Sequence, residues 1–466
     1  MMIHELGAEA LAGAIRAGDV SVVEVTEHTL RRAEEIGPGV GAFAHLCADR
    51  ALEQARKLDA LFGSGQEVPP LFGVPCPIKD LNAVAGVPME CGSAVMAGNV
   101  ATFDDGVVTW LAQAGTVMVG KTNTPEFGFP CYTEPDNAPP ARTPWDLTRS
   151  AGGSSGGAAA AVAAKIVPIA QASDGGGSIR IPASSCGLVG LKPSRGRISP
   201  APHVFPGPGL TTNGVLTRDV RDTAIGLDVL AGARAGDIFY APVPQTSFRA
   251  ACDTPPGRLR IGMLATPVIA WADVHPACVQ AVDKAAVALE GLGHIIEDAP
   301  VPMSVDDWDA FAALWSVGAA TLPIPLGKES LLRPLTKWLR EKGNGYSGKA
   351  YAWAMTAAQR VAQRIATAWD RYDIILTPTL AQPPARIGAL RDDLDPAADF
   401  AAQTRFTPWT SIYNVSGAPA ISLPLHTAWV DGVELPIGVM LGARFGAEAT
   451  LLSVSAQLQD NGFLGR

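Results

Sequence analysis

Residues 152–186 constrain this 466-residue chain more than any other part, with the sequence GGSSGGAAAAVAAKIVPIAQASDGGGSIRIPASSC. The Ala-rich middle favours a helix that starts at a Gly/Ser loop. The apolar run Ile166–Ala172 then predicts a buried strand that leads into a second Gly/Ser loop. Gly/Ser-rich sequence often forms flexible linkers, but here it runs directly into apolar helix and strand. The pattern therefore predicts two loops held by a packed core.

The rest of the chain alternates between helix-like and strand-like segments. Apolar residues recur at helical spacing across residues 1–65, with Ser21 as an expected N-cap. Later helical segments include VVTWLAQAG, TAIGLDVLAG, CVQAVDKAAVALEGLG and residues 351–369, and the expected buried strands include TVMVGKTN, RLRIGML, YDIILTPT, APAISLPL and LPIGVML. Such alternation predicts an α/β fold with a mainly parallel or mixed sheet.

The chain shows no convincing linker and no internal repeat, so we expect one domain over residues 1–466. Within it we expect N-terminal helices over 1–65, a core over about 66–235 and 371–466, and a variable cap-like region over about 236–370. The hydrophobic fraction of 47% is ample for a large core.

Charge and cysteine content narrow the class of protein. Lys plus Arg is 36 and Asp plus Glu is 45, which gives a net charge of −9 and no electrostatic footprint for nucleic acid or an anionic membrane. The first twenty residues lack the features of a signal peptide, and the apolar stretches are too short to span a bilayer. The seven cysteines form no C-x-x-C pair, which argues against a zinc site and favours a reducing cytoplasm. No HExxH or phosphate-loop motif is present, so neither a metal nor a cofactor is expected.

Three polar clusters interrupt the apolar sequence. Lys79 ends the run GVPCPIKD, Ser154 and Ser155 lie in GGSSGG, and Ser178 lies in DGGGSIR. A serine hydroxyl is a weak nucleophile unless a base lies beside it, and a desolvated lysine can be that base because burial favours its neutral amine. The glycines before Ser178 leave backbone N–H groups free to point at one spot, as an oxyanion hole requires.

These motifs together resemble the amidase signature family. Ser178 follows Ser154 by 24 positions (178 minus 154), and Ser154 follows Lys79 by 75 (154 minus 79), spacings that this family shows repeatedly. Further family-like segments include KTNTPEFG, GVLTRDVRDTA, YDIILTPTLAQPPA and NVSGAPAISLPL. The resemblance implies the amidase-signature fold, a large mixed β-sheet core between α-helices. It also implies hydrolysis of C–N bonds in carboxamides.

The resemblance implies a role for each residue of the three clusters. Ser178 matches the nucleophile, Ser154 the bridging serine that follows a cis peptide bond, and Lys79 the base that takes the proton through Ser154. The remaining matches are a supporting hydroxyl (Ser155), the backbone N–H groups of an oxyanion hole (Gly175, Gly176, Gly177 and Ser178) and a scaffold for that loop (Asp174 and Arg180).

The expected substrate is a small molecule with an amide-type bond, and its binding residues are less constrained. Phe127 and Phe129 resemble residues that wall the acyl pocket in the family. Further candidates for the pocket are His203, Phe205, Trp409 and Tyr413. Carbamates and esters are also expected to fit, since the same attack serves all these carbonyls. No nucleic acid or membrane partner is expected, and the protein should be a monomer or a homodimer.

Two other readings stay open. Residues 152–156 fit the G-x-S-x-G motif of an α/β-hydrolase, with His275, His294 and His426 as possible partners, although that motif needs a strand immediately before the serine. The A subunit of the glutaminyl-tRNA amidotransferase shares the fold and the three catalytic positions. That subunit usually has Thr-Gly-Gly-Ser, with Gln after the Ile-Arg pair. This chain has GGGSIRI, which looks more like stand-alone amidases such as 6-aminohexanoate cyclic dimer hydrolases and aryl acylamidases.

Overall fold

A mixed sheet with helices on both faces forms the centre of the molecule. The computed structural model describes residues 2–63, 67–203 and 207–464. The helices are α1 Ala8–Ala17, α2 Val22–Glu35, α3 Gly37–Val40, α4 Ala48–Gly63, α5 Gly106–Gln113, α6 Gly156–Ala163, α7 Arg180–Cys186, α8 Val220–Leu230, α9 Phe248–Ala251, α10 Pro276–Gly291, α11 Asp309–Ala320, α12 Pro334–Asn344, α13 Gly348–Trp369, α14 Pro396–Phe406, α15 Ile412–Ser416 and α16 Glu448–Asp460. The strands are β1 Phe43–Leu46, β2 Ile78–Lys79, β3 Gly120–Thr122, β4 Ile169–Asp174, β5 Val189–Lys192, β6 Thr212–Thr217, β7 Arg260–Met263, β8 Ile295–Asp298, β9 Ile374–Pro378, β10 Ala420–Val430 and β11 Val433–Ala443.

The large sheet has eight strands in the order β4-β6-β5-β10-β11-β9-β7-β8. Neighbours from β4 to β9 are antiparallel, and only β9-β7-β8 are parallel. The prediction of a large mixed sheet is confirmed, and the mainly parallel alternative is wrong. A long hairpin is one reason, since β10 and β11 are joined by Asp431 and Gly432, both at positive φ. An Asp-Gly pair between apolar runs is a strong hairpin signal.

Alternate residues along the strands face two different layers. Ile374 and Leu376 of β9 point into the cluster formed with α8, α10 and α16, whereas Ile375 points into the cluster formed with α11, α13 and α15. On β4, Ile169 and Ala170 divide in the same way, with Ala170 packing against α6 and the N-terminal helices. This period of two is what a sheet covered by helices on both faces requires.

A second sheet of three strands, in the order β1-β3-β2, lies beside β4. Strand β2 is parallel to β3, and the main-chain N–H of Lys79 at its end donates to Gln171 Oε1 of β4 at 2.9 Å. Strand β1 lies within the segment predicted to be wholly helical. Four residues of mixed burial give little periodicity to recognise.

The region expected to be cap-like divides into two parts. Strands β7 and β8 and helix α10 belong to the large sheet and its covering layer, so residues 260–298 are core rather than cap. Helices α11, α12 and α13 form the second part of this region. Within the described ranges, no helix is both long enough and apolar enough to cross a membrane.

Candidate active site

Lys79 is fully buried at the end of β2 and its amine contacts three serine hydroxyls. Its Nζ lies 2.8 Å from Ser154 Oγ, 2.9 Å from Ser155 Oγ and 3.1 Å from Ser173 Oγ. Ser173 belongs to β4, and nothing in the sequence patterns singled it out. An amine surrounded by neutral hydroxyls can exchange a proton with them along short hydrogen bonds.

The electrostatic setting of Lys79 favours the neutral amine. Burial lowers the pKa of Lys79 to about 7, and the charge of Asp174 opposes this shift only in part. The usual lysine value is near 10.4. A substantial fraction of the amine is therefore neutral at neutral pH, which is the form that can accept a proton.

The two Gly/Ser loops meet beside Lys79. The Gly153–Ser154 peptide bond is cis, as the resemblance implies. The carbonyl of Ser154 accepts a hydrogen bond from Thr124 Oγ1 at 3.0 Å, and the N–H of Ser155 donates to the carbonyl of Ser178 at 3.3 Å. Ser154 is 2% exposed and Ser178 is 7% exposed, and both line the same cavity.

A buried ion pair holds the loop that carries Ser178. Arg180 donates to both carboxylate oxygens of Asp174 at 3.0 and 2.9 Å, and Asn414 donates to Asp174 Oδ1 at 2.8 Å. Burial alone would raise the pKa of Asp174, but the charge and hydrogen bonds of Arg180 bring it down to about 2. The carboxylate is therefore ionised and fully paired, which makes the pair a rigid support for residues 175–179.

The amide groups of this loop are not equivalent. Asp174 Oδ1 accepts the N–H of Gly177 at 2.8 Å, and Oδ2 accepts the N–H of Ile179 at 3.1 Å. Gly177 is therefore a poor candidate for the oxyanion hole, since its donor is already used. Within the ranges that the structure covers, the N–H groups of Gly175, Gly176 and Ser178 make no such bond.

A cavity of about 440 Å³ opens onto Ser154 and Ser178. Apolar and small residues dominate its wall, among them Phe127 and Phe129 from the turn after β3 and Leu314 and Trp315 from α11. Among the described lining residues, none is Asp, Glu, Lys or Arg. A site of this kind suits an uncharged organic molecule, because burying an unpaired charge is costly.

The structure separates the six expected pocket residues. Phe127 and Phe129 line the cavity. His203 is exposed and its ring centroid lies 4.0 Å from that of Phe103, and Phe205 lies outside the described residues. Trp409 and Tyr413 are at most 2% exposed and belong to a hydrophobic core cluster.

Tyr413 is therefore wrong as a pocket residue. Its ring centroid lies 6.3 Å from that of Trp369 and 5.8 Å from Cζ of Arg180. Trp315 and Phe311 of α11 were missed, although the aromatic spacing in WDAFAALW, with residues 308, 311 and 315 on one helical face, was a usable signal.

The three histidines of the α/β-hydrolase alternative lie elsewhere. His275 caps α10 through Nδ1, His294 bonds to Gln457 at 2.9 Å, and His426 belongs to β10. None of them lines the cavity at Ser154 and Ser178. In the described part of the chain, no strand lies between Thr122 and Ser154, so the required strand–turn–helix geometry is missing. Across the described residues, no cluster of three or more His, Cys, Asp or Glu could hold a metal ion.

Comparisons with known proteins match nearly the whole chain. The family model described as Amidase matches residues 24–452. The 6-aminohexanoate-cyclic-dimer hydrolase of Paenarthrobacter ureafaciens is 36% identical over 476 aligned positions, which cover 97% of this chain and 94% of that enzyme.

Solved structures resemble the whole chain. That of 6-aminohexanoate cyclic dimer hydrolase complexed with substrate gives a TM-score of 0.91 at 33% identity, covering 100% of this chain and 98% of the other. A bacterial aryl acylamidase of the amidase signature family gives 0.88 at 28% identity, with 99% and 97% covered. This chain therefore belongs to the amidase family, and it is an amide hydrolase with the amidase-signature fold.

Proposed function

We propose that the protein hydrolyses uncharged aryl or alkyl amides through Ser178 as nucleophile, Ser154 as proton relay and Lys79 as base. The observation that carries the proposal is the fully buried Lys79 amine, 2.8 Å from Ser154 Oγ, beside a cavity that Ser178 also lines. A hydroxyl and an amine at this distance share a hydrogen bond through which a proton can pass.

The first half of the reaction forms an acyl-enzyme. Ser178 Oγ attacks the substrate carbonyl carbon and its proton passes through Ser154 to neutral Lys79. The N–H groups of Gly175, Gly176 and Ser178 are the donors proposed for the resulting oxyanion, because they make no other hydrogen bond in the described chain. The C–N bond then breaks as Ser154 delivers the proton to the departing nitrogen.

The second half of the reaction regenerates the free enzyme. Water attacks the ester on Ser178, loses its proton towards Ser154 and Lys79, and the acid is released as the serine recovers its proton. Asp174 and Arg180 act here only as support for the loop, while Ser155 and Ser173 hold the Lys79 amine in place. Aryl carbamates and esters should react by the same steps, because each presents a carbonyl carbon and a leaving group.

A substrate panel tests the proposal. Hydrolysis of an anilide, an aliphatic amide, an aryl carbamate and a nitrophenyl ester is measured with the wild-type protein and with Ser178→Ala. We expect the wild-type protein to hydrolyse the anilide and Ser178→Ala to lose this activity. Anilide turnover that persists in Ser178→Ala would overturn the assignment of the nucleophile, and an absence of carbamate turnover would remove carbamates from the substrate class.

A further inference from the structure

Ser178 lies where two cavities of different size meet. One is the cavity of about 440 Å³ described above, and the other offers about 60 Å³ by the same measure, roughly one seventh. Three residues line both cavities: Phe129, Ser178 and Trp315. The rings of Phe129 and Trp315 meet edge to face with their centroids 5.4 Å apart, so this aromatic pair divides the space around the nucleophile.

The narrow cavity has a wall of stacked aromatic rings. Trp308 and Phe311 stack with centroids 4.4 Å apart and an interplanar angle of 15°, and Phe311 and Trp315 follow at 5.3 Å and 21°. All three side chains come from one face of α11 and the residue before it. Rings packed against each other in this way have little freedom to move aside, because interiors are close-packed.

Ser154 distinguishes the two sides of the nucleophile. Ser154 and Gly175 line only the wide cavity, whereas Gly176 lines only the narrow one. When the tetrahedral intermediate collapses, the carbon–nitrogen bond breaks, the acyl carbon stays bonded to Ser178 Oγ and the nitrogen takes the Ser154 proton. The departing nitrogen must therefore lie on the Ser154 side.

We infer that the wide cavity receives the amine half of the substrate and the narrow aromatic cavity receives the acyl half. This rests on the proposed function, since it takes Ser154 as the proton donor. The expected substrates are amides that join a short or slender acyl group to a large, uncharged aromatic or alkyl amine. Phe127, which lines only the wide cavity, then contacts the amine half rather than the acyl half.

Two substrate series test the assignment. In one, the amine is aniline and the acyl group grows from acetyl through butanoyl to hexanoyl. In the other, the acyl group is acetyl and the amine grows from aniline to 2-naphthylamine. We expect kcat/KM to fall about tenfold or more along the acyl series, since a few methylenes beyond what a pocket holds are strongly rejected. The amine series should change little.

Matched variants on α11 separate the two cavities. Phe311 lines only the narrow cavity and Leu314 only the wide one, and both are buried on the same helix. Phe311→Ala should raise the ratio of hexanoyl to acetyl turnover about tenfold, while Leu314→Ala should leave that ratio unchanged. Thermal unfolding checks each variant, and Phe311→Leu serves as the milder change if Phe311→Ala does not fold.

The possible results test the assignment of the two cavities separately from the proposed function. Ser178-dependent hydrolysis that prefers the hexanoyl anilide would overturn the cavity assignment alone, as would a Phe311 variant that alters only the amine series. Hydrolysis that does not depend on Ser178 would overturn the proposed function and the assignment together.

Discussion

Lys79 illustrates how a single residue gains its chemistry from its surroundings. Among the described residues, its amine makes hydrogen bonds only with serine hydroxyls and the carbonyl of Ser173, and with no carboxylate. A buried carboxylate in contact would hold the lysine in its charged form. Because the neighbouring groups are hydroxyls, desolvation is the largest effect on the pKa of Lys79. The sequence indicates the burial of Lys79, since this residue ends an apolar run.

The pH dependence of activity follows from this lowered pKa. Lys79 must be neutral to accept a proton, so kcat/KM should be low below about pH 6, rise with a midpoint near pH 7 and level off above. A pH profile for a neutral anilide measures this, because such a substrate does not titrate. A profile that is flat across this range, or one that falls as pH rises through 7, would contradict the role of Lys79 as base.

Removing Lys79 should affect chemistry far more than folding. Lys79→Ala should lower kcat by about a hundredfold or more, the scale of general-base catalysis, while circular dichroism stays unchanged. Lys192 is a matched control, because burial also lowers its pKa to about 7, yet it lies outside the cavity that Ser154 and Ser178 line. Lys192→Met should retain most activity per folded molecule.

The Asp174–Arg180 pair should be a determinant of stability. Arg180→Met leaves the Asp174 carboxylate buried without its partner, which costs about 3–5 kcal/mol in the free energy of unfolding. Denaturant unfolding compares the stability of Arg180→Met with that of the double variant Asp174→Asn with Arg180→Met. The double variant should recover part of the loss, and equal stability of the two would argue against an ionised Asp174.

At the scale of elements, Glu126 links helix α12 to the wall of the pocket. Glu126 is 1% exposed, and its carboxylate accepts a hydrogen bond from Ser93 Oγ at 2.7 Å. It also accepts a hydrogen bond at 3.0 Å from the main-chain N–H of Arg333, which is the N-cap of α12. Phe127 and Phe129 follow directly in sequence. A change at Glu126 is therefore expected to disturb both α12 and the aromatic wall.

Glu126→Ala should raise KM more than it lowers kcat. It leaves buried donors without an acceptor, which also costs about 1–3 kcal/mol of stability. Glu341→Ala, at an exposed position of α12, is the control and should change stability by less than about 0.5 kcal/mol. Equal kinetic effects of the two substitutions would show that Glu126 does not order the pocket wall.

Some elements could be predicted from sequence and others could not. The helix α6 and strand β4 follow from one continuous stretch of strong patterning. Helix α7 gave no such signal, because RIPASSC contains Pro182 and two serines, and its helical form depends on packing against β5, β10 and β11. Trp315 belongs to an aromatic face of α11 that is recognisable in the sequence, but its place in the Ser178 cavity depends on the tertiary packing of that helix.

At the scale of the whole molecule, the main alternative to hydrolysis is transfer of ammonia to a partner. The chain alone already contains the cavity, the serines and the lysine. We therefore expect the purified protein to hydrolyse neutral anilides without any partner and to release little ammonia from glutamine, whose charged groups the uncharged cavity disfavours. Activity that appears only with a second subunit would support the amidotransferase alternative.

The role of Ser178 as the nucleophile can be tested by measuring the mass of the acylated protein. A slowly deacylating aryl carbamate is mixed with the wild-type protein, and intact-mass and peptide mass spectrometry locate the adduct. We expect one carbamoyl group on the peptide containing Ser178, and none in Ser178→Ala. An adduct on Ser154, or turnover without any covalent adduct on Ser178 under rapid-quench conditions, would contradict this role.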